Sequence, residues 1–270
     1  MLRWRMATDT TALKLVLTPL LIGAASLAGR RWGQAVSGWL VGLPLTSGPI
    51  AFFLALDQGA GFAAAAAAGS IMGALAEVAF CLAYAWLAAR RWWIALAAGC
   101  AGFSAVAALL QWLAPPALPL VLVVFAVLVL ALSLVPREAE RAARSSPPAW
   151  DIPARMVVTT ALVLAITGFA HVLGARLSGL LAAFPVYAGI LTVFAHRLHG
   201  AAAAVQVLRG LLLGLFAFVA FFVVLGAALE PLGVALAFTA ATATALAVQV
   251  GSLWFVLASP RAGAARISIG

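Results

Sequence analysis

SGWLVGLPLTSG, residues 37–48, and SGLLAAFPVYAG, residues 178–189, share Ser, Gly, Leu, Pro and a final Gly in the same places, the second following 141 positions after the first. Each is an apolar run broken near its middle by proline. A chain that builds the same interrupted segment twice is organised around it, and the similarity spreads outward from the pair.

Residues 14–81 laid over 155–222 without a gap give 20 identities in 68 columns, where so skewed a composition gives roughly a tenth by chance. The shared positions include Gly33/Gly174, Ser37/Ser178, Gly38/Gly179, Pro44/Pro185, Gly48/Gly189, Phe53/Phe194, Gly59/Gly200, Gly69/Gly210 and Gly73/Gly214. Gly, Pro and Ser weigh more here than shared Ala and Leu, which an apolar chain repeats by chance.

The medium follows from composition. Of 270 residues, 66% are hydrophobic and 9% charged, against about half and a quarter in a soluble domain. A bilayer core about 30 Å thick takes about 20 apolar residues per helix, and lipid accepts only helices or closed barrels, because backbone groups there must pair internally. These runs are too long and too rich in Ala and Leu for alternating barrel strands. The expected fold is an all-α polytopic transmembrane helical bundle of about nine segments: 13–29, 34–56, 61–88, 92–113, 117–135, 155–173, 175–196, 201–228 and 232–258.

The repeat divides these into a first four-helix unit, residues 1–116, and a second, residues 155–270. Residues 117–154 supply a linking helix and a basic loop, all within one membrane domain. An odd number of segments separates equivalent positions, so the second unit enters the bilayer from the opposite side and the repeats are inverted. With the N-terminus outside, the cytoplasmic segments carry Arg30, Arg31, Arg90, Arg91, Arg137, Arg141, Arg144, Arg155, Arg197, Arg261 and Arg266. The other face keeps Arg3, Arg5, Lys14 and Arg176, and this 11-to-4 asymmetry predicts N-out and C-in. The first run resembles a secretory signal, but its counterpart in the second half marks it as a retained helix. The expected location is a bacterial inner membrane.

The net charge of +9 does not point to nucleic acid, since the arginines are scattered between apolar runs. The basic loop at 137–155 suits anionic lipid. Cys81 and Cys100 lie inside apolar runs and form neither a disulfide framework nor a metal motif. His196 and His199 lack a third ligand, so neither metal nor cofactor is expected. There is no GxSxG, HExxH or phosphate loop to carry enzyme chemistry.

Proline removes one backbone hydrogen bond and clashes with the preceding turn, and freed carbonyls in lipid turn to neighbours, water or a ligand. Pro44 is accompanied by Ser37, Thr46 and Ser47, and Pro185 by Ser178 and Tyr187. Matching interrupted segments in two inverted halves point to a transporter's midplane site; prolines that only kink helices for packing are the plainer alternative. Gly69-xxx-Gly73 and Gly210-xxx-Gly214 are both GxxxG, a packing device, and their equivalence suggests that the third and eighth segments cross.

Glu77 falls near mid-bilayer, where an ionised side chain costs about 3 kcal/mol on insertion scales. Its repeat mate is Phe218, so the architecture does not demand an acid there. It either stays protonated or pairs with a cation, and both suit proton coupling. Arg209, roughly 12 Å deep against roughly 18 Å for Glu77 at 1.5 Å per residue, is the candidate partner, unless it snorkels to the surface. Thr239, Thr242, Thr244 and Gln249 either line a cavity or bond to their own helix.

Gly179, Leu180, Phe184, Pro185, Phe194, Ala195 and His196, and less closely Gly38, Leu43 and Pro44, form a pattern that resembles the small four-helix GlpM-type membrane proteins over about a sixth of the chain. That resemblance implies an architecture and no activity. Four-helix units used in opposite orientations, with a membrane acid, are also similar to the small multidrug and drug/metabolite transporters, although there the acid lies in the first helix and here in the third.

The leading expectation is a secondary transporter or exporter of a small solute, proton-coupled through Glu77. A lipid flippase or a noncatalytic accessory subunit are the alternatives. The expected partners are membrane lipids, a small-molecule or lipid substrate and, compatible with the sequence, a second copy of the chain.

Overall fold

The computed structural model describes residues 11–20, 23, 27, 43–135 and 150–258, and every regular element among them is a helix. In chain order these are α1 (Thr11–Leu20), α2 (Ser47–Gln58), α3 (Ala60–Trp86), α4 (Trp92–Leu113), α5 (Ala117–Leu134), α6 (Asp151–Leu173), α7 (Ala175–Ala182) and α8 (Val186–His199). The run Ala201–Ala258 is two helices, α9 (201–232) and α10 (234–258), meeting at Gly233 with φ 74° and ψ 172°. The chain folds back there. Phe221 and Phe238 have ring centroids 6.0 Å apart, whereas 17 residues of unbroken helix would separate them by about 25 Å.

The expected all-α membrane bundle is therefore the fold. Four stretches are long and apolar enough to cross a bilayer among the described residues: Ala60–Trp86, Trp92–Leu113, Ile152–Leu173 and Ala201–Gly251, the last containing the corner at Gly233. The seventh expected segment is real but divided, since α7 and α8 have 8 and 14 residues with the Pro185 break between them.

Several boundaries recur at the repeat spacing. α2 ends at Gln58 and α3 starts at Ala60 across Gly59 (φ 95°, ψ 165°), while α8 ends at His199 and α9 starts at 201 across Gly200 (φ 86°, ψ −177°). That region of backbone space is essentially open only to glycine. A single residue thus joins two helices without a loop, and the pair sits 141 positions apart like the breaks.

α3 lies at the centre, with 72% of its membrane window buried against 28% for α4 and for the α6 span. Its first half, AGFAAAAAAGSIMG, has little side chain to hold neighbours away. In lipid, where no solvent drives helices together, close backbone approach and van der Waals contact carry association. The approach is closest to α7: a Cβ on Gly69 would fall on the Arg176 carbonyl, one on Gly73 on Ala183, and one on Gly179 on the Ala66 carbonyl. Ser70 Oγ donates to the Gly179 carbonyl at 3.1 Å across the same contact. Gly69 and Gly73 therefore serve the α3–α7 contact rather than a glycine-to-glycine crossing with Gly210 and Gly214.

α3 and α9 nevertheless pack along their length, and they run antiparallel. Gly61 lies beside the Glu230 carboxylate, Ala67 beside Gly226, and Glu77 shares a cavity with Leu215 and Phe218. The end of the bundle holding Gly61 also has Lys14 against Asp57. At the other end Tyr84 meets His196, Arg197 stacks over Trp92 and Trp150 meets Phe194.

Candidate functional site

The two proline breaks fold in the same way. Leu45 N–H donates to the Leu43 carbonyl at 2.7 Å and Gly48 N–H to the Pro44 carbonyl at 2.7 Å; Val186 N–H donates to Phe184 at 2.8 Å and Gly189 N–H to Pro185 at 2.7 Å. Each bond of one set is the counterpart of a bond in the other at the repeat spacing. Pro185, with φ −78° and ψ 55°, is the centre of an inverse γ-turn, and the Leu43–Leu45 bond closes the same three-residue turn around Pro44. Proline supplies the fixed φ for both turns, and at Pro185 it lacks the N–H that would have continued α7.

The carbonyls that the Pro185 break releases are satisfied within the protein. Val186 N–H, which helix geometry would give to Ala182, is held by Phe184, and the Ala182 carbonyl accepts instead from Ser47 Oγ of the other break at 2.8 Å. Leu181 accepts from Phe184 N–H at 3.0 Å. The breaks are thus tied to each other through Ser47, and a space lies between them.

That space is a cavity with about 30 Å³ of room for water centres, enough for about two waters at 10–15 Å³ each. Its wall contains both members of three repeat pairs, Leu43/Phe184, Ser47/Ala188 and Glu77/Phe218, so it is centred between the two halves. Thr46 and Pro185 complete the part of the wall that comes from the breaks. Among the described residues Glu77 is the one ionisable side chain in the wall, is 6% exposed, and has no hydrogen bond or ion pair to another described residue.

Arg209 is not its partner. The Arg209 guanidinium donates through Nη1 to the Leu132 and Val135 carbonyls at 3.2 and 2.8 Å. The last carbonyls of a helix have no intrahelical donor, and a cation there also complements the dipole, so the C-terminus of α5 competes successfully for this arginine. A double-mutant cycle between Glu77→Gln and Arg209→Gln is expected to show coupling under about 0.5 kcal/mol in detergent unfolding, as for residues without a shared contact. Coupling of several times that value would restore the pair.

Of the other expected site residues, Ser178 is buried but donates to the carbonyl of Gly174, the residue that precedes α7, at 2.8 Å and does not line the cavity. Pro44 shapes its turn without lining the space, and Tyr187 lies in the first turn of α8. Ser37 lies outside the described residues, as do Gly33, Gly38 and most of the basic loop. Thr239 and Thr244 bond to their own helix at 2.8 and 2.9 Å.

Two contacts escaped the sequence reading. Tyr84 Oη meets His196 Nδ1 at 3.1 Å, joining α3 to the far end of α8. Lys14 Nζ bonds to Asp57 Oδ2 at 2.6 Å with the side chains 7% and 20% exposed, and lies 5.4 Å from the Phe53 ring centroid. Asp57, like Glu77, is an acid whose repeat mate, here Leu198, is apolar, and that asymmetry was the available signal. Removing one partner strands the other charge: Asp57→Asn is expected to cost about 2–3 kcal/mol, read as a lower melting temperature, and Lys14→Met in the same chain should recover part of it.

Comparison with family models, curated proteins and solved structures finds no match for this chain. The fold itself defines the class: an all-α, multi-pass membrane protein with an acid-bearing cavity between two proline turns.

Proposed function

We propose that this chain is a secondary transporter of a small solute, proton-coupled through Glu77, built from two inverted four-helix units of common origin. The single observation that carries the reading is the meeting of two proline turns with the same hydrogen bonds at one cavity that holds a carboxyl with no hydrogen bond or ion pair to another described residue. Binding at interrupted segments near the midplane of inverted halves is a recurring transporter design. The antiparallel run of α3 and α9, which the repeat makes equivalent, supports the inversion. On this reading residues 1–116 and 155–270 rock about the shared cavity, with α5 and the basic loop of 117–154 between them. The chain sits in a bacterial inner membrane with its N-terminus outside, and the two halves descend from a GlpM-type unit.

Glu77 is the coupling residue. Bare charge at this depth is costly, so occupation by proton or by solute is what permits the site to cross between its two exposures. Reconstitution into liposomes under an imposed pH gradient, with an internal pH dye, tests the proposal. Solute-dependent proton movement is the expected result across a panel of small cationic, neutral and anionic metabolites. Scrambling of a fluorescent lipid without any solute-dependent proton movement would assign the chain to lipid handling instead.

A further inference from the structure

We infer that the cavity between the two breaks binds a small primary alkylammonium ion, its nitrogen held by Glu77 and its alkyl end by the apolar wall. This rests on the transporter reading only for its use, because the binding site itself stands on the geometry. Three features select the occupant.

The first is the direction of hydrogen bonding. An ionised carboxylate accepts only, and Ser47 has committed its one hydroxyl hydrogen to the Ala182 carbonyl at 2.8 Å, so toward the cavity it presents lone pairs. Thr46 in the same wall accepts as readily as it donates. The site therefore asks for a donor. An ammonium group is three donors with no acceptor, whereas a carboxylate or phosphate solute would bring acceptors against acceptors and negative charge against Glu77.

The second is the scarcity of oxygen. Hard metal cations need about six oxygen ligands, and among the described residues the wall offers three oxygen-bearing side chains while the carbonyls released at Ala182 and Leu181 are already bonded. An organic cation needs only its N–H groups satisfied. The third is size and lining. Room for about two waters admits a solute of about three heavy atoms. Leu215, Phe218, Phe184 and Val186 give the remainder of that solute an apolar surface.

The test uses purified full-length protein in detergent and [14C]ethylammonium, with ethanol, acetate and sodium as competitors. Saturable binding is expected, with a dissociation constant on the order of a millimolar, as the ligand-efficiency ceiling sets for so small a molecule. Glu77→Gln should weaken it by about tenfold or more. Unlabelled ethylammonium should displace the label, and equal concentrations of ethanol, acetate or sodium should not. The competitor panel on the unaltered protein decides the matter without any variant. Displacement by ethanol or acetate as effective as by ethylammonium, or unchanged affinity in a folded Glu77→Gln protein, would overturn the assignment. Binding without flux in liposomes would uphold this site and remove the transporter reading. Proton-coupled flux of another solute with no ethylammonium binding would do the reverse.

Discussion

Gly179→Ala is expected to lower the unfolding free energy by about 3 kcal/mol, the upper end of ordinary overpacking, and to reduce the yield of monodisperse protein. One methyl group suffices because the Cβ would fall on the Ala66 carbonyl. A backbone oxygen cannot rotate aside as a side chain does, so α7 must lift from α3. The lift would also stretch the Ser70–Gly179 hydrogen bond and unseat α7 just before the Pro185 break. Gly168→Ala in α6 is the control, since nothing lies within 4 Å of a Cβ there and alanine is the better helix former by about 1 kcal/mol. Reversible unfolding in mixed micelles, followed by tryptophan fluorescence, reads both. Equal stability of the two variants would mean that the α3–α7 contact is looser than described.

Glu77→Gln is expected to abolish proton-driven flux, down to the rate of protein-free liposomes, while leaving the protein folded. The substitution keeps size and shape and removes only the ability to gain and lose a charge. Glu77 has no hydrogen bond or ion pair to another described residue, so no structural partner is stranded by the change and stability should move by less than about 1 kcal/mol. Loss of flux without loss of fold is what separates a working carboxyl from a packing one. Flux that persists at full rate across pH in this variant would end the coupling role.

Much of this architecture was legible in the chain. The span 92–113 coincides with α4, the turn at Gly59 and Gly200 falls where the repeat aligns two glycines, and the Pro185 break divides its segment where expected, while of the second expected segment only the part from residue 43 onward is described. These features are local: apolar run length reports immersion in lipid, proline lacks its N–H wherever it stands, and a corner of positive φ with extended ψ, as at Gly59 and Gly200, is essentially open only to glycine. Glu77 stood out for the same reason, as a charge in an environment hostile to charge.

Partners were another matter. Arg209 could be judged by depth to reach Glu77, yet the open carbonyls at the end of α5 hold it. The glycines of α3 matched those of α9 by spacing, yet they press against α7. Asp57 drew no notice until folding placed Lys14 beside it. Read alone, the sequence determined what each residue needs, whether an apolar surround, a missing donor or a neutralised charge. Only the tertiary structure decided which neighbour meets that need, because several candidates lie at suitable depth and the choice among them rests on ångström-scale distances between helices that no one-dimensional pattern encodes.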